Sequence, residues 1–243
     1  MKPLFICTSA LHTKHGVFTA EQRLAQTIQT FESIKAKVPD SRILLIESSG
    51  ESSITEEESE KIKPYVEGIL NYNPDQQVQD VYKLYINNHD ITKNLTELCV
   101  FGKALDFILR QQPHLLNDVD RVFKMSGRYI LNDDFDLSKH IDPAMAESYI
   151  FSSIRNSQFP PEVTSGLTKQ VMSRLWSWNP TKTALVFFRY NLMMEDFIGT
   201  INSGKYRDIE HLLLHYFNGP YLKELSIIGV NGQIGPNGNM VFD

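Results

Sequence analysis

The sequence predicts an α/β fold, in which a mostly parallel sheet is flanked by helices. Two observations carry this prediction. Through residues 1–130, short apolar runs alternate with longer segments whose apolar side chains recur every three or four positions. This alternation of strands and amphipathic helices is typical of parallel sheets with helical connections. The apolar runs also end in polar residues, as strands do at a ligand-binding edge.

The first predicted strand is the run "PLFIC", which ends in Thr8 and Ser9. A helix is predicted next, over residues 18–39, because its apolar residues fall on one face at spacings of three and four. Thr19 and Gln22, three positions apart, form a capping-box signature at its start. Pro39 marks its end.

Two further strands are predicted before the middle of the chain. The run "RILLI" ends in Glu47 and Ser48. The run "VYKLYI" is interpreted as a third strand, ending in Asn87 and Asn88. Both strands would add polar groups to the same edge of the sheet as the first.

A second long helix is predicted over residues 93–110, followed by a fourth strand, "DRVFKM". This strand ends abruptly in Ser126, Gly127 and Arg128. The second half of the chain is less regular. It contains a predicted strand, "SYIFSSIR", an apolar run, "TALVFFRYNLMM", that suits either strand or helix, and a predicted helix, "RDIEHLLLHYF".

The polar strand ends predict a ligand site, because ligands of open parallel sheets bind outside the carboxyl ends of the strands. The loop after the first strand, "TSALHTKHG", lacks the G-x-G-x-x-G pattern of dinucleotide-binding folds. The chain also lacks the P-loop and the G-x-S-x-G elbow of hydrolases. The remaining possibility is a site that binds a nucleotide without a glycine-rich loop. A carboxylate of the protein would then bind the ribose or the base, and cationic side chains would bind the diphosphate.

The order of these segments resembles that of GT-A-fold glycosyltransferases, notably short viral (phage-type) and bacterial members. The resemblance rests on "FTAEQRLAQTIQTFESI", "ILLIESS", the helix that contains Lys103, and "FKMSGRYIL", and it covers roughly residues 1–140. It implies a GT-A-like, Rossmann-like single domain over residues 1–243. Residues 1–140 would bind the nucleotide sugar, and residues 141–243 would form the acceptor side and the C-terminal tail.

Most GT-A enzymes end the fourth strand with an Asp-x-Asp motif that holds Mn²⁺ or Mg²⁺ on the diphosphate. In this chain the equivalent strand end is Ser126-Gly127-Arg128. A guanidinium carries a fixed positive charge and a fork of donors that matches phosphate oxygens, so Arg128 is predicted to replace the metal. The alternative is a shifted motif made by Asp134 and Asp136, which would bind Mn²⁺ or Mg²⁺.

The resemblance implies a donor that is a nucleotide diphosphate sugar, with UDP as the expected nucleotide, and a glycan or another hydroxyl compound as acceptor. Glu210 is the candidate general base for the acceptor and Arg128 the candidate partner of the leaving diphosphate. The candidate substrate-binding residues are Thr8, Ser9, Arg23, Glu47, Ser48, Lys103, Ser126, Gly127 and Tyr129.

Several of these side chains also have an ordinary structural interpretation. Glu210 suits a helix N-terminus, where a carboxylate is stabilising without any catalytic role. Trp176 and Trp178 could stack on a sugar or anchor the core. His211 and His215 have the i, i+4 spacing of metal ligands but lack the glutamate of the zinc-protease signature, which argues against a zinc site.

Composition excludes other function classes. The formal net charge of −5 and the lack of a basic run argue against a nucleic-acid partner. No apolar run reaches the roughly 18 residues that a membrane-spanning helix needs. Two cysteines in apolar surroundings fit a reducing compartment, so the expected location is the cytoplasm, or the host cytoplasm for a viral protein. Two alternatives to a glycosyltransferase stay open: a metal-dependent nucleotidyltransferase and a non-catalytic nucleotide-sugar-binding module.

Overall fold

The computed structural model describes residues 2–50 and 52–243. A seven-stranded, mostly parallel sheet lies between helices, which confirms the predicted α/β fold class. The helices are α1 Ala20–Lys37, α2 Glu56–Ile62, α3 Gln76–Tyr85, α4 His89–Arg110, α5 Ser138–Ile141, α6 Thr183–Asn202 and α7 Ile209–Phe217. The strands are β1 Leu4–Ser9, β2 Arg42–Glu47, β3 Gly68–Asn71, β4 Val122–Ser126, β5 Tyr129–Leu131, β6 Tyr149–Ser152, β7 Arg155–Asn156, β8 Lys169–Gln170, β9 Leu175–Trp178, β10 Leu222–Leu225, β11 Val230–Gln233 and β12 Met240–Phe242.

The strands of the large sheet follow the order β10-β6-β9-β4-β1-β2-β3. Strand β9 runs antiparallel to both of its neighbours, and the other pairs are parallel. Strands β1, β2 and β4 therefore end at the same edge of the sheet. Their last residues lie in register, with Ser9 opposite Glu47 and Thr8 opposite Ser126.

Each face of the large sheet has its own apolar core, because successive side chains of a strand point to opposite faces. Leu4 and Ile6 of β1 pack with α3, α4, α6 and α7 on one face. Phe5 and Cys7 pack with α1 and with strands β5 and β11 on the other. Phe5 stacks on Phe123 of β4, with ring centroids 4.5 Å apart. The two cores hold the strand ends rigidly where they meet solvent.

The predicted third strand, residues 81–88, is wrong, since residues 76–85 form helix α3 and the third strand is β3. Asp75 starts the helix by accepting hydrogen bonds from two backbone amides, those of Gln77 and Val78. Val78 and Val81 then bury one helical face. Asn88, which was expected at a strand end, caps α4 by accepting from the amide of Ile91.

The second half of the chain completes the sheet and adds a smaller one. The apolar run at residues 183–194 is helical and belongs to α6, which packs on α4. Trp176 and Trp178 of β9 are fully buried, with ring centroids 4.7 Å apart and ring planes inclined by 33°, so they anchor the sheet. A three-stranded antiparallel sheet, β12-β11-β5, joins the late segment of the chain to the strand that follows Arg128.

Candidate active site

A cavity of about 370 Å³ opens at the edge where β1 and β4 end. The N-terminal half of α4 forms one wall, and the loop after β11 covers part of the opening. The cleft is lined by Thr8, Ser9, Ala10, Thr13, His15, Arg23, Ser48, Tyr82, His89, Asp90, Lys93, Thr96, Glu97, Val100, Ser126, Arg128, Tyr129, Gln158, Met172, Ser173, Arg174, Glu210, Ile234, Gly235, Pro236 and Asn237.

Arg128 enters this cleft from the tight turn between β4 and β5. The turn is fixed by the amide of Gly127, which donates to the carbonyl of Thr8 at 2.8 Å, and by the Thr27 hydroxyl, which donates to the carbonyl of Gly127 at 3.0 Å. A Cβ on Gly127 would lie 3.1 Å from the Thr8 carbonyl, so a larger residue would crowd the turn. Gly127 thus shapes the site from beneath and does not line the cleft.

The Arg128 side chain makes no hydrogen bond or ion pair within residues 2–50 and 52–243, and its Nε is buried. A Cβ on Gly235 would lie only 3.3 Å from the central carbon of its guanidinium. A guanidinium in a partly buried cleft needs acceptors for its N–H groups. The arrangement suits an anionic ligand that supplies these acceptors.

Arg23 differs from Arg128, because its guanidinium donates hydrogen bonds to the loop after β1. It donates from Nη2 to the carbonyl of His15 at 2.6 Å and from Nε to the carbonyl of Phe18 at 3.2 Å. Burial, together with the nearby charge of Arg128, lowers the pKa of Arg23 to about 10. Arg23 therefore holds the loop in place at the edge of the cleft and adds positive potential to it.

Glu47 lies beneath the cleft, fully buried at the end of β2. Its carboxylate accepts from the Ser9 hydroxyl and, at 2.9 Å, from the amide of Leu11. Burial raises the pKa of Glu47, although these hydrogen bonds oppose the shift. Thr8, Ser9 and Ser48 line the cleft directly above it, so Glu47 supports this wall from below.

Helix α4 presents three polar side chains to the cleft at intervals of four residues: His89, Lys93 and Glu97. Both ring nitrogens of His89 are buried without a hydrogen-bond partner, and the ring lies 4.7 Å from that of His15. Burial and the nearby His15 lower the pKa of His89 to about 4. The helix predicted from the sequence begins at Lys93, which left His89 outside it, so this i, i+4 series was not predicted.

Lys124 is a second group that sequence reasoning missed. It is fully buried in β4, where it forms an ion pair with Glu97 at 2.6 Å. Its Nζ also donates to the Ser126 hydroxyl at 2.9 Å and to the Ser173 carbonyl at 2.8 Å. Burial alone would raise the pKa of Glu97, but the charges of Lys124 and Lys93 outweigh it and hold this pKa below its ordinary value.

Glu210 reaches the opposite wall of the cleft from the first turn of α7. Its carboxylate accepts from Gln170 Nε2 at 3.1 Å and from the Ser173 amide and hydroxyl at 3.3 and 3.2 Å. Burial raises the pKa of Glu210, while Lys93 opposes the shift. The helix itself is capped by Asp208, so Glu210 is not needed as its cap.

Besides Glu47 and Gly127, three predicted residues lie away from the cleft lining. Lys103 pairs with Asp75 at 2.7 Å, between α4 and the start of α3. Asp134 and Asp136 are exposed in the segment after β5, where Asp136 accepts from the amide of Ser138 at 3.0 Å. His211, also considered as a metal ligand, is buried and bonded to Asp208 at 2.5 Å.

The donor set at the end of β4 does not fit a divalent cation. Mg²⁺ and Mn²⁺ prefer carboxylate and carbonyl oxygens, but a guanidinium stands in this place. In the cleft itself, Glu97 is paired with Lys124, and Glu210 is occupied by Gln170 and Ser173. Across the described residues, no three histidine, cysteine, aspartate or glutamate side chains converge as metal ligands would.

The chain matches no protein-family model, and no curated protein matches it. Solved structures do match. Core-mannan synthase A of Aspergillus fumigatus, in an Mn/GDP form, aligns with 88% of this chain and 68% of its own, at 8% identity and a TM-score of 0.48. Mouse xyloside xylosyltransferase 1, in its apo form, aligns with 93% of this chain and 85% of its own, at 8% identity and a TM-score of 0.48.

A bacterial enzyme matches to a similar degree. The 4-diphosphocytidyl-2C-methyl-D-erythritol synthase of Anaerococcus prevotii aligns with 98% of this chain and 89% of its own, at 10% identity and a TM-score of 0.45. The three proteins come from a fungus, a mammal and a bacterium, so the expected likeness to viral members gains no support from them. Among the described helices, none combines the length and apolar character of a membrane span.

Proposed function

We propose that this protein is a glycosyltransferase that moves a sugar from a nucleotide diphosphate, with UDP as the nucleotide, to a hydroxyl acceptor. One observation carries the proposal: the guanidinium of Arg128, which has no partner among residues 2–50 and 52–243, lies in the cleft at the end of β4. The cleft volume of about 370 Å³ falls within the usual range of small-molecule sites. UDP would place its diphosphate against Arg128 and its nucleoside along Thr8, Ser9 and Ser48.

In this reaction the bond between the anomeric carbon and the β-phosphate oxygen breaks, and a new bond to the acceptor oxygen forms. Negative charge grows on the departing UDP, and fixed donors that face this charge lower the barrier. Arg128 supplies such donors without a metal, and Arg23 adds positive potential beside it. Glu210 receives the proton of the acceptor hydroxyl, which its position across the cleft and its raised pKa both favour.

The test is UDP binding measured by calorimetry, with and without excess EDTA. UDP should bind equally in both, while NAD should not bind. Arg128→Ala should weaken UDP binding by about ten- to a hundredfold, because a charge-assisted hydrogen bond contributes roughly 1.5–3 kcal/mol. Uridine binding should hardly change, since only the diphosphate loses its partner. Arg128→Lys should recover part of the affinity, because an ammonium lacks the planar two-point contact.

Arg110→Ala is the matched control, since Arg110 lies at the far end of α4 and pairs with Asp106. It should bind UDP as the wild type does. Loss of UDP binding in EDTA, restored by Mn²⁺ and imitated by Asp134→Asn or Asp136→Asn, would move the site to the acidic turn. Binding of NAD without any response to UDP would overturn the proposal altogether.

The products of turnover distinguish the remaining alternatives. A glycosyltransferase releases free UDP from a UDP-sugar, whereas a nucleotidyltransferase releases pyrophosphate from a nucleoside triphosphate. A binding module would hold the UDP-sugar and release neither.

The two buried, unpaired thiols, Cys7 and Cys99, fit the proposed reducing location in the cytoplasm.

A further inference from the structure

A fully buried lysine in the centre of a sheet requires a reason, because a charge that leaves water costs several kcal/mol unless it is well paired. Lys124 lies on β4, between β1 and β9, and has no solvent exposure. Its Nζ forms an ion pair with Glu97 and donates hydrogen bonds to the Ser126 hydroxyl and to the Ser173 carbonyl. Apolar side chains of similar volume would stabilise the fold as well or better, so stability does not explain the pair.

The pair fixes the orientation of Glu97 in the cleft. Lys124 holds Oε1 at 2.6 Å, whereas Oε2 makes no hydrogen bond to the described part of the chain. The side chain keeps 14% of its surface exposed, and that surface lines the cleft. Because Lys124 and Lys93 keep the pKa of Glu97 low, its free oxygen is an ionised acceptor at neutral pH.

The position of Glu97 relative to Arg128 indicates which part of a ligand it meets. Arg128 and Glu97 line the same cleft, and the charge of Arg128 adds to that of Lys124 and Lys93 in lowering the pKa of Glu97. Glu210 also lines the cleft, and Ser173 joins it to Lys124, since Ser173 donates to Glu210 and accepts from Lys124. A diphosphate on Arg128 would therefore place its attached sugar between Arg128 and Glu210, beside Glu97.

We infer that Glu97 binds hydroxyl groups of the donor sugar through Oε2 and that Lys124 is the residue that positions it. This inference rests on the proposed function. It assigns to the α4 wall the recognition of the sugar, and to the Arg128 turn the recognition of the diphosphate. A hydroxyl that donates to an ionised carboxylate forms one of the stronger classes of hydrogen bond.

The test compares UDP with UDP-glucose, UDP-galactose and UDP-N-acetylglucosamine, each titrated by calorimetry into the wild type and into variants. In the wild type, at least one UDP-sugar should bind more tightly than UDP. Glu97→Gln should reduce that gain by about tenfold or more while UDP binding stays within twofold. Asp106→Asn removes another paired carboxylate from the same helix, outside the cleft, and should keep the full gain.

Lys124→Met is the test of positioning, since it leaves Glu97 in place without its counter-ion. Lys124→Met should bind UDP as the wild type does and should lose the additional affinity that the wild type has for a UDP-sugar. Because a single variant of a buried pair is prone to misfold, Lys124→Met combined with Glu97→Leu, which removes both charges, is measured beside it. If Lys124 acts only through Glu97, this double variant should still bind UDP and should lose no more of the gain than Glu97→Gln does.

The outcomes separate the two proposals. UDP binding with an unchanged sugar gain in Glu97→Gln would overturn the role of Glu97 and leave the proposed function standing. Equal affinity of the wild type for UDP and for every UDP-sugar would also overturn it. A wild type that binds neither UDP nor any UDP-sugar would overturn the proposed function, and this inference with it.

Discussion

At the scale of single residues, the cleft holds two glutamates whose surroundings act in opposite directions. Lys124 and Lys93 hold the pKa of Glu97 below its ordinary value. Burial raises the pKa of Glu210, which forms no ion pair within the part of the chain that the structure describes. Two carboxyl groups whose pKa values are shifted in opposite directions can serve different roles, one as an ionised binding group and the other as a base that takes up a proton.

Glu210→Gln should lower turnover by roughly 10²–10⁴-fold while UDP still binds, because the amide cannot accept the acceptor's proton. Turnover is measured as UDP released from whichever UDP-sugar binds. In the wild type, turnover should also fall on acidification through a pKa above that of an ordinary glutamate, because burial raises the pKa of Glu210.

Glu195→Gln, an exposed position on α6, is the control and should retain wild-type turnover. Equal turnover in Glu210→Gln would reduce Glu210 to a structural carboxylate. A transferase that works without such a base would survive that result.

Sequence reasoning found the residues that follow strands but missed those that reach the cleft by other routes. Arg128 could be predicted as a site residue because a strand that ends in Ser-Gly-Arg is unusual. Lys124 was not singled out, although Val122, Lys124 and Ser126 alternate on one face of β4, as the period of a strand requires. His89 was missed because the mistaken third strand moved the predicted start of α4 from His89 to Lys93.

At the scale of elements, the opening of the cleft is bordered by two loops that contact each other at glycines. Gly16 has a φ of +89°, and a Cβ there would lie 2.5 Å from the carbonyl oxygen of Gly235. The amide of Val17 donates to the same carbonyl at 3.1 Å. The loop after β1 and the loop after β11 therefore support each other, beside Arg23 and Arg128.

Gly16→Ala should weaken UDP binding and lower the free energy of unfolding, because the methyl group forces the two loops apart. Gly166→Ala is an unusually close control, since Gly166 has a φ of +88° and open space around its Cβ position. Both variants bear the strain of a left-handed backbone, roughly 1–2 kcal/mol. Gly16→Ala should lose about 1–3 kcal/mol more, the usual cost of overpacking.

Calorimetry and urea unfolding of the two alanine variants give the comparison. Equal losses of stability, with UDP affinity kept in both, would show that the contact between the two loops does not shape the cleft.

The order of elements was largely predictable, and its one clear failure has a physical cause. Residues 76–88 contain valine, tyrosine and isoleucine, which favour strands when judged locally. Their burial on α4 at helical spacing, and the cap from Asp75, decide for a helix. Tertiary contacts of this kind are not visible in a short window of sequence.

At the scale of the whole molecule, burial of neutral histidines ties stability to pH. His140 is fully buried, with its ring 4.8 Å from that of Phe123, and its Nδ1 lies 2.8 Å from the Ser177 hydroxyl. Burial, and secondarily Arg121, lowers the pKa of His140 to about 3. Below pH 6.5 the unfolded chain therefore binds a proton at this site that the folded chain refuses.

The free energy of unfolding should consequently fall as the pH is lowered from 6.5 toward 3. This site alone would give a slope approaching about 1.4 kcal/mol per pH unit. His140→Gln should flatten the profile between pH 6.5 and 5, as measured by urea unfolding at several pH values. His114→Gln removes an exposed histidine and should keep the wild-type slope. A wild-type slope in His140→Gln would contradict the assignment.

The pairing of β5 with β11 also has a consequence for biosynthesis. Leu131 lies opposite Val230, so β5, the strand that follows Arg128, pairs with a strand that is synthesised much later. At about 5–20 residues per second, the roughly 100 intervening residues take on the order of 5–20 s to synthesise. During that interval the nascent chain contains Arg128 but not yet the loop after β11, which covers part of the cleft. The cleft around Arg128 is thus completed in a late step of maturation, after most of the large sheet has been translated.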